Sequence, residues 1–142
     1  MQSVTASSSS GDPAIQNRPE LRILLVEDSA RLRVRLNEML TTPGLTRVTA
    51  MASTEAEAIG QIGSMDFDVL IVDVELRQGS GINVIRSARL RWPTPLQPLI
   101  IVLTNYALPT VKQRCLAAGA DYFLDKMQQF DQLLPIITRH QA

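Results

Sequence analysis

Five side chains in this 142-residue chain have types and places that suit phosphoryl chemistry. Glu27 and Asp28 follow the apolar run Leu21–Val26. Asp73 follows Phe67–Val72, and Thr104 follows Leu99–Leu103. Lys126 comes just after the weaker run Asp121–Leu124. Brought together, three carboxylates repel one another and call for a cation. Hard oxygen donors with open positions suit Mg²⁺, which keeps waters and binds phosphate oxygens. A carboxylate can act as a nucleophile and form an aspartyl phosphate. The oxygens of a transferring phosphoryl group need cations and hydrogen-bond donors, which a lysine and a hydroxyl supply. Of the 14 basic residues, twelve are arginine and only Lys112 and Lys126 are lysine. A compact ammonium at position 126, in a chain that otherwise uses the guanidinium fork, fits a point contact to phosphate.

The segments around these residues explain how they could meet. Leu21–Val26, Phe67–Val72 and Leu99–Leu103 are short and rich in branched aliphatics, as expected of parallel strands buried on both faces. Thr46–Ala50 and Asp121–Leu124 read as weaker strands. Helical segments lie between them. Residues 29–41 alternate like a strand over Arg31–Leu36, but Leu32, Leu36, Met39 and Leu40 keep one apolar helical face until Thr42-Pro43-Gly44 stops it. Thr54 and Glu57 form a capping box for a second helix, weakened by Gly60 and expected to end at Gly63. Residues 80–91, 109–118 and 128–140 complete the set; Trp92-Pro93 and Gly119 close the third and fourth, and Pro135 falls inside the fifth. Five β–α units predict one parallel sheet covered by helices on both faces. In such a sheet the C-terminal ends of the strands line one rim, where ligands bind.

The bulk composition narrows the function. With 14 acidic and 14 basic residues the chain has no net pull toward nucleic acid or a membrane surface. One cysteine, Cys115, rules out an internal disulfide or a zinc cluster, fits a reducing cytoplasm, and reads as a small core hydrophobe. The lone His140 disfavours Ser-His-Asp and Cys-His mechanisms. Residues 1–19 are rich in Ser, Thr and Gln, lack the features of a signal peptide, and read as a disordered arm, either tail or linker, before a single domain over 20–142.

The motifs LLVEDSARLR, FDVLIVDVELRQGSGINVIR, IIVLTNYA and AGADYFLDK occur in order at the strand ends. In them the sequence resembles bacterial two-component response-regulator receiver domains over residues 21–140. The resemblance implies a flavodoxin-like, doubly wound α/β fold with five parallel strands in the order 2-1-3-4-5 and five helices. It implies that Asp73 is the phosphoacceptor, that Asp28 ligates Mg²⁺ with Glu27 assisting through water, and that the backbone carbonyl of Glu75 is a further ligand. Lys126 and Thr104 would hold the phosphate. Phe123 would change rotamer with Thr104, and Glu75 and Tyr106 would tune phosphoryl lifetime. The implied partners are a sensor histidine kinase or phosphotransfer protein and a downstream protein, with no nucleic acid and no membrane. Activity would be limited to the domain's own phosphoryl uptake and slow hydrolysis. With nothing after residue 142, a stand-alone receiver is expected.

Two residues depart from the family pattern: Asn105, where a smaller residue is common, and Met127, where many relatives have proline. A cis bond costs roughly 3–4 kcal/mol before a non-proline residue, so Lys126–Met127 is expected to be trans. Singly, each site residue has an ordinary explanation, as turn acid, helix cap or surface charge. The Arg31-Arg33-Arg35 cluster reads as a solvated helix face or part of a phosphodonor dock. Two other functions compete. A phosphorylation-independent scaffold is opposed by the intact set. A flavoprotein of this fold is opposed by Glu27-Asp28-Ser29, which would repel the FMN phosphate.

Overall fold

A computed structural model describes residues 19–141. The expected arm over 1–19 lies outside the described residues, apart from Pro19. The strands are β1 (Leu21–Val26), β2 (Thr46–Ala52), β3 (Val69–Val72), β4 (Leu99–Thr104) and β5 (Tyr122–Asp125). The helices are α1 (Ala30–Leu40), α2 (Glu55–Ser64), α3 (Gly81–Arg91), α4 (Pro109–Ala118) and α5 (Leu133–Gln141), the last preceded by one 3-10 turn, Phe130–Gln132. All sheet pairings are parallel, in the order β2-β1-β3-β4-β5. This is the flavodoxin-like arrangement expected.

Strand alternation sorts the core into two layers. Leu24, Val26, Leu70, Val72, Ile100 and Val102 pack with α2, α3 and α4 through Ile62, Ile85 and Cys115. Their neighbours Ile23, Leu25, Val69, Ile71, Ile101 and Leu103 pack with α1 and α5 through Leu36, Leu40, Leu133 and Ile137. The two-sided burial explains why β1, β3 and β4 read as unbroken apolar runs. The edge strand β2 alternates instead between exposed and covered residues.

Several boundaries differ from the sequence expectation, each for a local reason. β3 starts at Val69 because the Asp68 carboxylate, rather than a strand carbonyl, accepts the Arg22 backbone N–H at 2.8 Å. Gly63 does not end α2, which runs to Ser64. Only half of the capping box forms: Thr54 Oγ1 accepts the Glu57 N–H at 3.1 Å, but Glu57 accepts from Ser53, one residue before the cap. The fifth helix begins at Leu133, not 128, which puts Pro135 in its first turn, where no intrahelical N–H donor is needed. Gly119 closes α4 at φ 118°, a conformation that favours glycine.

Candidate functional site at the strand C-terminal rim

The sheet register sets the site. Val26, Val72 and Val102 lie level on β1, β3 and β4. The hydrogen-bond ladder then continues one residue further: Asp73 N–H reaches Val26 C=O at 3.0 Å, Glu27 N–H reaches Ala52 C=O at 2.9 Å, and Lys126 N–H reaches Thr104 C=O at 2.9 Å. Glu27 and Asp73 therefore leave the sheet at one level, while Lys126 leaves β5 three residues after Phe123, the residue level with Val72 and Val102, and its long side chain spans the difference. The Lys126 ammonium bridges Glu27 Oε1 at 2.7 Å and Asp73 Oδ2 at 2.9 Å, and all three side chains are at least nine-tenths buried. Glu27, Asp28 and Asp73 each offer an oxygen within 4.8 Å of the others.

Backbone donors hold these carboxylates in place. Asp73 Oδ1 accepts the Glu75 N–H at 3.1 Å, Asp28 Oδ2 the Arg77 N–H at 2.8 Å, and Glu27 Oε2 the Ser29 N–H at 3.1 Å. Thr104, the last residue of β4, is fully buried, and its Oγ1 accepts the Tyr106 N–H at 3.1 Å. A lone pair is thereby used, and the hydroxyl proton is free to be donated.

Three carboxylates against one ammonium leave two negative charges at the site when all are ionised (3 − 1 = 2). Burial pushes the Glu27 and Asp73 carboxyls above their ordinary range, although hydrogen bonds from Lys126 pull the other way. Burial works against the Lys126 charge, but its bonds to Glu27 and Asp73 outweigh that and hold it above the usual lysine value. A divalent cation among oxygen donors answers this imbalance, so the residues fit Mg²⁺. Glu75 is exposed beside the cleft, a shallow pocket of ≈ 320 Å³. A larger cleft, ≈ 840 Å³ and lined in part by Arg22, Trp92 and Leu96, lies at the opposite rim, away from the carboxylates.

Some site residues escaped the sequence reading. A Cβ on Gly81 would collide with the carbonyl oxygen of Asp73, so the first turn of α3 presses on the backbone of that aspartate. The signal was the QGSG run before the helix. Gly81→Ala is expected to lose about 2 kcal/mol or more of stability in urea unfolding, because a backbone atom must give way. Its phosphoryl uptake should also slow at least about tenfold through misplacement of Asp73. Wild-type stability and uptake in this variant would refute the close packing. Arg33 is half-buried, and its Nη1 donates to the Glu27 carbonyl at 2.6 Å. Arg31 and Arg35 are both exposed, Arg35 lying over the Phe130 ring. Phe123 is half-buried against the α2–α4 layer. Cys115 is buried and its thiol is pushed up by burial, as suits a core residue. Among the described residues the cis bond is Thr94–Pro95, so Lys126–Met127 is trans. The Met127 N–H donates to Asp125 Oδ1 at 2.7 Å, a bond proline could not make.

A doubly wound sheet with a cation-ready acidic cleft at its switch point defines the class as a flavodoxin-like α/β fold. The chain matches the response regulator receiver domain over residues 23–138 and belongs to that family. It is 27% identical over 114 residues to the cell cycle transcriptional regulator CtrA of Caulobacter vibrioides, covering 80% of this chain and 47% of that protein. It is 32% identical over 106 residues to protein-glutamate methylesterase/protein-glutamine glutaminase 2 of Pseudomonas fluorescens, covering 75% and 28%. The chain thus spans less than half the length of these relatives. In fold it is similar to a CheY-like receiver domain protein from Methanospirillum hungatei (TM-score 0.74, 24% identity, 86% and 94% covered). The response regulator domain of Thermotoga maritima CheB is likewise similar (TM-score 0.72, 22% identity, 86% and 93% covered). Receiver domains are typically signalling modules rather than enzymes. No helix among the described residues is long and apolar enough to cross a membrane.

Proposed function

We propose that this domain takes up a phosphoryl group on Asp73 and passes its state to another protein by direct contact. The observation that carries this reading is the Lys126 bridge between Glu27 and Asp73, with Asp28 in the same carboxylate cluster. An Asp73 oxygen attacks the phosphorus of a phosphohistidine or a small acyl phosphate. A P–O bond forms, the bond to the donor's nitrogen or oxygen breaks, and the leaving group carries the electron pair away. Lys126 and the Thr104 hydroxyl hold the phosphoryl oxygens. Asp28, Asp73 and the Glu75 carbonyl, with Glu27 assisting through water, would hold Mg²⁺. When bound, that ion neutralises charge on the carboxylates and the phosphoryl oxygens. The domain's own chemistry is then its phosphoryl uptake and a slow hydrolysis, in the cytoplasm, with a sensor histidine kinase or phosphotransfer protein as donor. Neither nucleic acid nor membrane is a partner of the domain. Incubation with acetyl phosphate and Mg²⁺ should add the mass of one phosphoryl group, stable in acid and labile in base. No mass gain in folded protein would sink the proposal.

The output surface is the α4–β5–α5 face. Leu108, Leu116 and Tyr122 are exposed there, Tyr106 lies in the loop beneath, and Thr104 and Phe123 lie behind it. Drawing Thr104 toward a phosphoryl group leaves room for Phe123, so phosphorylation shifts a balance of two states. Hydrogen exchange with and without beryllofluoride and Mg²⁺ should change most within residues 104–127. Changes confined to residues 45–63 would refute this route.

A further inference from the structure

The β3–α3 loop, residues 73–80, is closed by the Gly81 N–H on the Val74 carbonyl at 2.9 Å, and side chains fasten it at three further places. Near its start, Glu75 N–H is bonded to Asp73. In its middle, Arg77 N–H is bonded to Asp28. Its far end is gripped by a residue from outside the cleft, Glu55, the first residue of α2. Glu55 Oε1 accepts the backbone N–H of Ser80 at 2.9 Å and the Asn83 amide at 3.2 Å. The Glu55 N–H donates to the Gln78 carbonyl at 3.0 Å. Gly79 sits against this side chain at φ 101°, and a Cβ there would collide with Glu55 Cβ. Ser80 in turn caps α3, accepting the Ile82 N–H at 3.1 Å.

We infer that Glu55 is a positioning residue that latches this loop and so sets the Glu75 backbone and the Arg77 N–H on Asp28 for cation binding. The inference rests on the reading of the cleft as a Mg²⁺-dependent phosphoacceptor. Backbone groups in a loop point where the loop's ends hold them. Releasing the Ser80 end leaves Ser80 N–H without its carboxylate and lets residues 75–79 sample other paths. Asp28 then loses a fixed donor, and the Glu75 backbone loses its fixed direction. Outer contacts of this kind govern metal affinity although they never touch the ion. Glu55 touches neither phosphate nor metal ligand, so its loss acts on affinity and not on the attack by Asp73.

The test uses the full chain and three variants, Glu55→Ala, Glu55→Gln and Glu57→Ala. The last removes an α2 cap contact that does not reach the loop. Titration calorimetry with Mg²⁺ alone should show a Kd about tenfold weaker for Glu55→Ala. Glu55→Gln keeps an acceptor oxygen for Ser80 N–H and should recover most of that loss. Glu57→Ala should bind as wild type does. Without metal, amide exchange of Glu75, Arg77 and Ser80 should speed up in Glu55→Ala and not in Glu57→Ala. Phosphoryl uptake by Glu55→Ala at saturating Mg²⁺ should return to the wild-type rate. Wild-type Mg²⁺ affinity in Glu55→Ala, equal weakening in Glu57→Ala, or unchanged exchange of those amides would each overturn the latch. Absence of Mg²⁺ binding by the wild-type chain would instead overturn the phosphoacceptor reading, and the metal-free exchange comparison would still decide whether Glu55 holds the loop.

Discussion

Asp73→Asn is expected to gain no phosphoryl mass from acetyl phosphate and Mg²⁺ under conditions that label the wild-type chain to a measurable fraction. The amide has nearly the shape of the carboxylate, so the fold can persist, with its single oxygen keeping one of the two bonds that Asp73 accepts, from Glu75 N–H or from Lys126. Its oxygen is a far weaker nucleophile, and the product would not be an acyl phosphate. Lys126 keeps Glu27 at 2.7 Å as a counter-ion, so the ammonium is not stranded. Stability should therefore change little while uptake vanishes. Other carboxylates cannot readily substitute. Glu27 is bound on both oxygens, by Lys126 and by Ser29 N–H, and Asp28 is committed to Arg77 N–H. Intact-mass measurement decides this: an undiminished mass gain in the variant would place the acceptor elsewhere.

Lys126→Met carries the second large effect, and it acts on stability as well as on uptake. Methionine matches the length of lysine and removes the charge. Two carboxylates that are nearly wholly buried then lose their shared cation. Breaking a buried pair costs about 3–5 kcal/mol when the remaining charge is forced to stay. Here the charge has an exit, because each carboxyl can bind a proton. Burial already holds both above their ordinary range, and loss of the ammonium lifts them further. A carboxyl raised in the folded state contributes stability below its unfolded value, and that contribution is lost as pH rises through the folded value. The variant should therefore be least stable, relative to wild type, near neutral pH. The deficit should shrink as pH falls through the raised carboxyl values toward the ordinary carboxylate range. Urea unfolding in the presence of a chelator should show a gap of about 2–4 kcal/mol near neutrality and a smaller one in mild acid. A gap independent of pH would show that packing, not charge, is what Lys126 supplies. Uptake should fall by about a hundredfold or more, since a preorganised cation on the developing charge is lost.

Much of this domain was legible in the linear chain. β1, β3 and β4 could be read because burial on both faces leaves no room for polar residues, and an unbroken branched run says so directly. Helix ends could be read where a side chain does the capping, as at Thr54, or where a glycine adopts positive φ, as at Gly119. The five chemical residues were legible because each comes at or just past a strand end, and a parallel sheet brings such ends to one rim. Boundaries blurred where long-range partners decide them. Asp68 shortens β3 by bonding Arg22, 46 positions away, and Gly63 stays helical because the chain continues through it to a cap at Met65.

The sequence by itself determined the elements, their order and the identity of the groups that could do chemistry, since these follow from residue type and local period. Only the tertiary structure decided that Lys126 is shared between Glu27 and Asp73, that Arg77 offers Asp28 its backbone N–H, and that Gly81 must be bare for Asp73 to keep its place. It alone showed Arg33 on the Glu27 carbonyl and Glu55 on the far end of the loop. Apart from the Lys126 bridge, which joins side chains, these contacts share one physical reason. A backbone N–H or C=O is the same on nearly every residue, so a contact made through it leaves no mark on residue type, and its partner is fixed only when distant segments pack at a definite distance.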